Sequence, residues 1–335
     1  MENPHVNSLE NRFVHQLGED DILQNFIRPI AHSIDDDVAE LELPPGQRLV
    51  VSTDALLEGV HFLRESSPEW VGQKAVRATL SDLAASGAEP LWVMLSLSMP
   101  GSLPVLWLKA FCQGFGEALK TYGVVLAGGD LTASREGIAI SVTVMGGREP
   151  WEKLGRQAPL TRSGARLGQA IYVSGYLGQT LPGLDSLLRR RQLSPQQQEI
   201  WEARHFLTPN RVALGRALYQ QNLATGLMDL SDGLALDLPK LLKASKVGAT
   251  VWLENVPVSK EFLALGYTAK DALSAGEDFE LLFTIDPERE SDMAHLASRL
   301  DLQCMKIGTI QQGCEMKVLD ASGQELELKK SWQHF

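Results

Sequence analysis

Gly226-Leu227-Met228-Asp229-Leu230-Ser231-Asp232-Gly233-Leu234 is an apolar, strand-like run that stops on an aspartate, turns through a second aspartate and a glycine, and enters a helical pattern. A strand handed directly to a helix belongs to a fold in which helices cover a sheet. The same grammar recurs along the chain. Arg48 to Ser52 delivers Thr53 and Asp54, Val124 to Ala127 runs into Gly128-Gly129-Asp130, and a helical stretch carries Ser81-Asp82. Further acidic clusters stand at Asp35-Asp36-Asp37 and Gly276-Glu277-Asp278. Carboxylates gathered in one place repel one another and cannot all stay ionised. Hard divalent cations relieve that repulsion, because Mg²⁺ takes oxygen ligands and bridges carboxylates to phosphates. The pattern points to a metal–polyphosphate site.

With 335 residues the chain has room for two domains, each with its own core. Its net charge of −11, with no basic stripe to offset it, argues against a nucleic-acid partner and makes an anionic ligand depend on cations. Cys112, Cys304 and Cys314 form neither a CxxC nor a zinc pattern, so a reducing, cytosolic setting is expected. No run approaches the roughly 18 apolar residues of a membrane span, and none resembles a signal peptide; no membrane partner is expected.

Residues 1–17 are polar and read as a tail or a short extra helix. The next domain is expected over 18–148, a linker over 149–168 where Gly, Pro and Arg accumulate, and a C-terminal domain over 169–335. In the first domain Ile22, Leu23, Phe26, Ile27 and Ile30 fall at helical spacing, Leu49 to Val51 reads as a buried strand, and 71–85 reads as a helix. Leu91 to Met99 alternates as a strand, and Ser102 is expected to cap a helix through Tyr122 that Gly123 ends. Gly137 to Met145 is another strand. In the second domain strands are expected at 169–174, 226–229, 249–253, 279–285 and 304–309. Helices are expected at 179–191, 209–222, 234–246 and 287–300. Strands and helices intermix in both halves, which gives an α/β or α+β class.

No G-x-x-x-x-G-K-[ST] loop and no protein-kinase motif set is present, so nucleotide chemistry here must run on acidic residues and metal. Each motif has a plain structural reading beside the functional one. Ser52-Thr53-Asp54 is either a turn or a ligand at a strand end. Asp82 lies between Leu80 and Leu83 as a surface residue or a ligand. Asp130 follows two glycines, which permit close approach to a phosphate. Asp229 and Asp232 form a helix cap or present two carboxylates to one cation. Arg162 grips phosphate bidentately or makes an interdomain salt bridge. His61 binds phosphate or simply packs among Val60, Phe62 and Leu63.

Taken in order, several motifs carry a wider resemblance. They are Ser52-Thr53-Asp54 with Gly59-Val60-His61-Phe62, Leu80 to Ala88, Gly128-Gly129-Asp130, Leu160 to Ala165, Asp229 to Leu234, Gly276 to Leu281 and the terminal Ser331 to Phe335. From about Leu17 to the end the chain resembles the thiamine-monophosphate kinase family. The resemblance implies a two-domain fold like that of aminoimidazole ribonucleotide synthetase, with an N-terminal ATP- and metal-binding domain whose sheet forms a homodimer interface. It implies transfer of the γ-phosphoryl group of ATP to thiamine monophosphate, assisted by several Mg²⁺ ions. Asp37, Ser52, Thr53, Asp54, Asp82, Asp130, Asp229 and Asp232 fall on metal positions, with Asp54, Asp82 and Asp130 expected to be catalytic. Gly129, Asp130, Arg162 and Ser231 fall on ATP contacts, and His61, Glu277 and Trp332 on substrate contacts. One departure is Asp35, which stands where the family usually has glycine.

Overall fold

The apolar stripe ending at Tyr122 forms the helix it predicts, and Gly123 closes it in the left-handed region at φ 66°. The helix starts at Val105 behind Pro104, however, so Ser102 is not its cap. The computed structural model describes residues 12–31 and 36–327. Two compact units result. The first takes Leu49–Leu80, Pro90–Gly147 and the described residues up to Pro45; the second takes Gly46–Arg48, Ser81–Glu89 and the described residues from Arg148.

The elements run α1 (Glu19–Ile22), β1 (Arg48–Leu57), α2 (Pro68–Ser86), β2 (Glu89–Pro100), α3 (Val105–Tyr122), β3 (Val125–Ser134) and β4 (Ala139–Arg148). These strands make a sheet in the order β1-β4-β2-β3. Helices α2 and α3 meet at backbone distance. A Cβ on Gly114 would lie 1.9 Å from the Glu69 carbonyl oxygen, and one on Gly72 would lie 2.3 Å from that of Phe111. Trp107 stacks on Phe111 at 5.5 Å, and Phe111 and Phe115 are fully buried.

Two expectations for this unit need correction. Leu49 and Val51 are each 53% exposed, because β1 is an edge strand with an open face. An apolar run reads alike at a sheet's edge and at its centre. The helical spacing of Ile22 to Ile30 yields only the short α1, followed by a π turn (Leu23–Ile27) and a 3₁₀ turn (Arg28–Ile30). Pro29 has no N–H to extend the ladder. Residues 12–17 hold a 3₁₀ turn (Val14–Gln16), and Phe13 bridges Pro104.

The second unit continues with β5 (Ala170–Ser174), α4 (Leu181–Leu187), α5 (Pro195–Phe206), α6 (Val212–Gln220), β6 (Ala224–Asp229), α7 (Leu234–Ser245) and β7 (Gly248–Trp252). It ends with α8 (Lys260–Ala264), α9 (Ala269–Leu273), β8 (Leu281–Ile285), α10 (Glu290–Arg299), β9 (Cys304–Gln311) and β10 (Met316–Leu319). The sheet order is β10-β7-β9-β5-β8-β6, antiparallel except for the β10–β7 pair. Alternate residues of β5 serve two cores. Ile171 and Val173 join Leu238, Leu241 and Phe262, while Ala170 and Tyr172 join Leu214, Leu218 and Met293. A strand covered on both faces by helices needs this two-sided burial.

Helix α5 was not foreseen. Its start is a capping box, with Ser194 Oγ accepting from the Gln197 N–H and Pro195 in the first turn. Its Gln-rich opening hides the apolar period. The Gly147–Gly168 stretch is also more ordered than its composition suggested. Arg156 is buried there and donates to the carbonyls of Tyr219 (3.2 Å) and Ala224 (2.8 Å).

Candidate functional site

Ser81 and Asp82 lie on the part of α2 that belongs to the second unit, and three contacts hold that part against α6. A Cβ on Gly215 would lie 1.9 Å from the Ala84 carbonyl oxygen. Gly87, at φ 73°, faces Tyr219 so closely that a Cβ would come within 2.4 Å of the tyrosine Cβ. Arg148 donates to the Ser86 carbonyl at 2.5 Å and lies over the Tyr219 ring at 4.7 Å. So anchored, α2 brings Ser81 Oγ to Asp229 Oδ2 at 2.8 Å. Asp229, at the end of β6, is 5% exposed. Burial, and then the charge of Asp82, pushes its carboxyl up to about 7, while the Ser81 hydrogen bond opposes the rise.

A buried carboxylate raised by the charge of a second one is a donor suited to a hard cation. Among the described residues, no group of three or more His, Cys, Asp or Glu side chains is gathered to hold a metal ion. That leaves the carboxylates of Asp82 and Asp229 as the donor set. It fits Mg²⁺, which keeps several waters and binds through one or two carboxylates plus substrate phosphates.

Two loops are zipped together beside Asp229. Leu230 N donates to the Glu280 carbonyl (2.8 Å), Phe279 N to that of Leu230 (2.9 Å) and Glu277 N to that of Ser231 (2.7 Å). Ser231 and Asp232 are thus held against Glu277. The Glu277 carboxylate lies 3.6 Å from Nε2 of buried His205 on α5. Below the turn, Glu280 receives both Arg211 nitrogens (2.5 and 2.6 Å) and Ser174 Oγ (2.5 Å). Asp232 is not the helix cap; Gly233 occupies that position at φ 91°. The Asp232 backbone N–H instead donates to Asp237 Oδ2 (2.9 Å). Lys240 Nζ joins Asp232 to Asp237, whose carboxyl is raised by burial above all. Arg211, Asp237, Lys240 and His205 are absent from the sequence reading, since no motif flags a partner that only the fold supplies.

The segment at 161–165 runs alongside β6. Thr161 bridges Gly226, and Leu227 N donates to the Thr161 carbonyl at 3.1 Å. A Cβ on Gly164 would lie 1.8 Å from the Thr225 carbonyl oxygen. Arg162 is exposed, with its carbonyl accepting from Ser245 Oγ at 2.9 Å.

In the first unit the acidic residues sit differently from the expected strand ends. Both β1 and β3 run on past Asp54 and Asp130, and the sheet order puts them on opposite edge strands. Thr53 Oγ1 donates to the Val142 carbonyl (3.3 Å), and Thr132 Oγ1 donates to Asp130 Oδ2 (2.8 Å). Gly129 is required by packing, because a Cβ there would lie 1.8 Å from the Leu95 carbonyl oxygen. His61 Nδ1 accepts from Leu57 N (3.0 Å), and its carbonyl accepts from buried Lys74 Nζ (3.1 Å). Asp37 lies in an exposed bend, its N–H on Asp36 Oδ1. Asp35 and Trp332 lie outside the described residues.

Residues 35–147 match the model of the AIR synthase related protein N-terminal domain, and 166–321 match that of the C-terminal domain. A thiamine-monophosphate kinase of Haemophilus influenzae is 35% identical over 308 residues, covering 89% of this chain and 90% of the relative. The crystal structure of thiamine-monophosphate kinase from Stenotrophomonas maltophilia superposes with a TM-score of 0.79 at 32% identity, covering 92% of this chain and 98% of that one. A structure of AaThiL complexed with AMPPCP and TMP gives 0.75 at 32% identity, covering 96% and 98%. With its acidic motifs, its two-unit α/β architecture and these relatives, the chain belongs to the thiamine-monophosphate kinase family of AIR synthase related proteins.

Proposed function

We propose that this chain transfers the γ-phosphoryl group of ATP directly to the phosphate of thiamine monophosphate, releasing thiamine diphosphate and ADP. The observation that carries this reading is the pair Asp82 and Asp229, brought together through Ser81 in a member of this family. The acceptor is a phosphate monoester with a second pKa near 6, so it is already mostly dianionic at pH 7. No strong general base is needed. The γ-phosphorus–oxygen bond to ADP breaks as an acceptor phosphate oxygen bonds to that phosphorus, and no phosphoenzyme forms.

Asp82 and Asp229 would hold Mg²⁺; Asp37, Ser52, Thr53, Asp54, Asp130 and Asp232 are assigned to further Mg²⁺ positions by the resemblance. Bound Mg²⁺ screens the repulsion between the two polyanions and withdraws charge from the transferred group. Arg162 is exposed and planar, suited to grip ATP phosphate oxygens bidentately. Ser231 and Gly129 complete the ATP contacts in this reading, and His61, Glu277 and Trp332 take the acceptor. Glu277 is held on the same zipped loops as Ser231.

The reading includes a homodimer formed through the N-terminal domain (18–148), with the C-terminal domain beginning at 169. Its support is β1, an edge strand that exposes Leu49, Val51 and Leu57, a ready template for pairing with a second copy. The described cysteines are free, which suits a cytosolic setting. Incubation with [γ-³²P]ATP, Mg²⁺ and thiamine monophosphate tests the reaction, label appearing in thiamine diphosphate. A covalent phosphoprotein that goes on to make product would overturn direct transfer.

A further inference from the structure

Asp278 is a buried carboxylate that the proposed chemistry does not use. It is 4% exposed and stands between Glu277 and Phe279, two non-glycine residues in the left-handed region at φ 64° and 50°. Such backbone costs on the order of 1 kcal/mol or more per residue and persists only where the surroundings hold it. On one side the holding bonds are Glu277 N to the Ser231 carbonyl and Phe279 N to the Leu230 carbonyl. On the other side the tie is Asp278 itself. Its Oδ2 accepts from Gly178 N at 2.6 Å, and its Oδ1 accepts from Thr180 N at 3.4 Å. Thr180 Oγ1 adds a 2.6 Å bond to the Gly276 carbonyl. The 276–280 turn is thereby clamped to the 175–180 turn from within. The neighbouring Glu277 side chain points elsewhere, with its carboxylate near His205 and a quarter of its surface exposed.

We propose that Asp278 is a positioning residue: by clamping the 175–180 turn it fixes the left-handed backbone at Glu277 and so aims the Glu277 carboxylate at the acceptor substrate. The proposal rests on the reading of Glu277 as an acceptor contact. It also accounts for the adjacent acids doing different work, one facing the ligand and one tied to backbone N–H groups. Asparagine cannot replace Asp278 in the clamp. It keeps the size but has a single carbonyl oxygen, and its NH₂ would face a backbone donor.

The test is a double-mutant cycle in the full chain, comparing Asp278→Asn, Glu277→Gln and the double variant by KM for each substrate. Asp278→Asn is expected to raise KM for thiamine monophosphate about tenfold, with KM for ATP within about twofold of the parent. Glu277→Gln should do likewise, and the double variant should be no worse than either single one. If Glu277→Gln leaves KM for thiamine monophosphate unchanged, the acceptor-contact reading falls and the proposal falls with it. If Glu277→Gln acts but Asp278→Asn multiplies its effect, or raises both KM values alike, the proposal alone is overturned. Thr180→Val loosens the same clamp more gently. It should give the same one-sided rise at smaller amplitude even if Asp278→Asn fails to fold, and an equal effect on both substrates would count against the clamp.

Discussion

Ser81 Oγ donates a 2.8 Å hydrogen bond to Asp229 Oδ2, so the end of α2 and the end of β6 are tied at the point where Asp82 and Asp229 come together. The bond steadies a carboxylate that burial and a like charge both disfavour. Burial and the charge of Asp82 both raise that carboxyl, and a bound cation would relieve them.

Asp82→Asn removes one of the two charges without removing volume. It should lower kcat by about a hundredfold or more, as losing one charge-stabilising group at a reaction centre does. Thermal melting should move by no more than about 3 °C, since Asp82 is only half-buried. Steady-state kinetics alongside calorimetry check this, and near-normal turnover would refute the assignment.

Gly215→Ala attacks the same pair from a distance. The new methyl would meet the Ala84 carbonyl oxygen at 1.9 Å, and backbone cannot step aside as a flexible side chain can. Prying α2 from α6 should destabilise the chain by about 1–3 kcal/mol. The folded variant should also lose turnover, because Ser81 would be drawn off Asp229. Urea titration with activity measured below the transition separates the two effects.

Much of the fold was legible because its elements carry strong local signals. The α3 stripe, its Gly123 stop and the strands β5 to β9 follow from apolar period and glycine chemistry alone. What stayed hidden depends on neighbours. Leu49 and Val51 look like core residues until the sheet order puts β1 at an edge. Helix α5 opens on Pro195 and three glutamines, so its cap was a better guide than its period. At the site, the Asp229-to-Gly233 and Gly276-to-Glu280 motifs stood out as sequence, but nothing in them separates the quarter-exposed Glu277 from the buried Asp278 and Glu280. That division comes from Gly178, Thr180, Arg211 and Ser174, which are distant in sequence.

Stability should fall as pH rises from about 4 to about 7. Burial pushes Asp229 and Asp278 up to about 7, whereas the unfolded chain releases those protons near 3.8. Between these values the folded state binds more protons, so raising the pH favours unfolding, and the loss is complete above about 7. Asp229→Asn removes one of the two groups. Without added divalent cation, its stability relative to the parent should therefore improve from pH 5 to pH 8, by a few kcal/mol at most. Urea midpoints at the two pH values measure this; a variant equally destabilised at both would contradict it.

Burial pushes the Cys112 and Cys304 thiols up to about 12, while Cys314 is exposed. The thiolate is the reactive form, so at pH 8 a disulfide reagent should label Cys314 quickly, partly buried Cys304 slowly and Cys112 only on unfolding. Counting released chromophore should give one fast equivalent in the native protein and three in urea. Rapid labelling of all three in the native state would contradict the packing around α3 and β9.

The most direct test supplies purified chain with ATP, Mg²⁺ and thiamine monophosphate and separates the thiamine phosphates over time. Thiamine diphosphate and ADP should accumulate one for one, and chelation of Mg²⁺ or Asp82→Asn should stop both. ADP formed without thiamine diphosphate, or no turnover by the unaltered chain, would contradict the account.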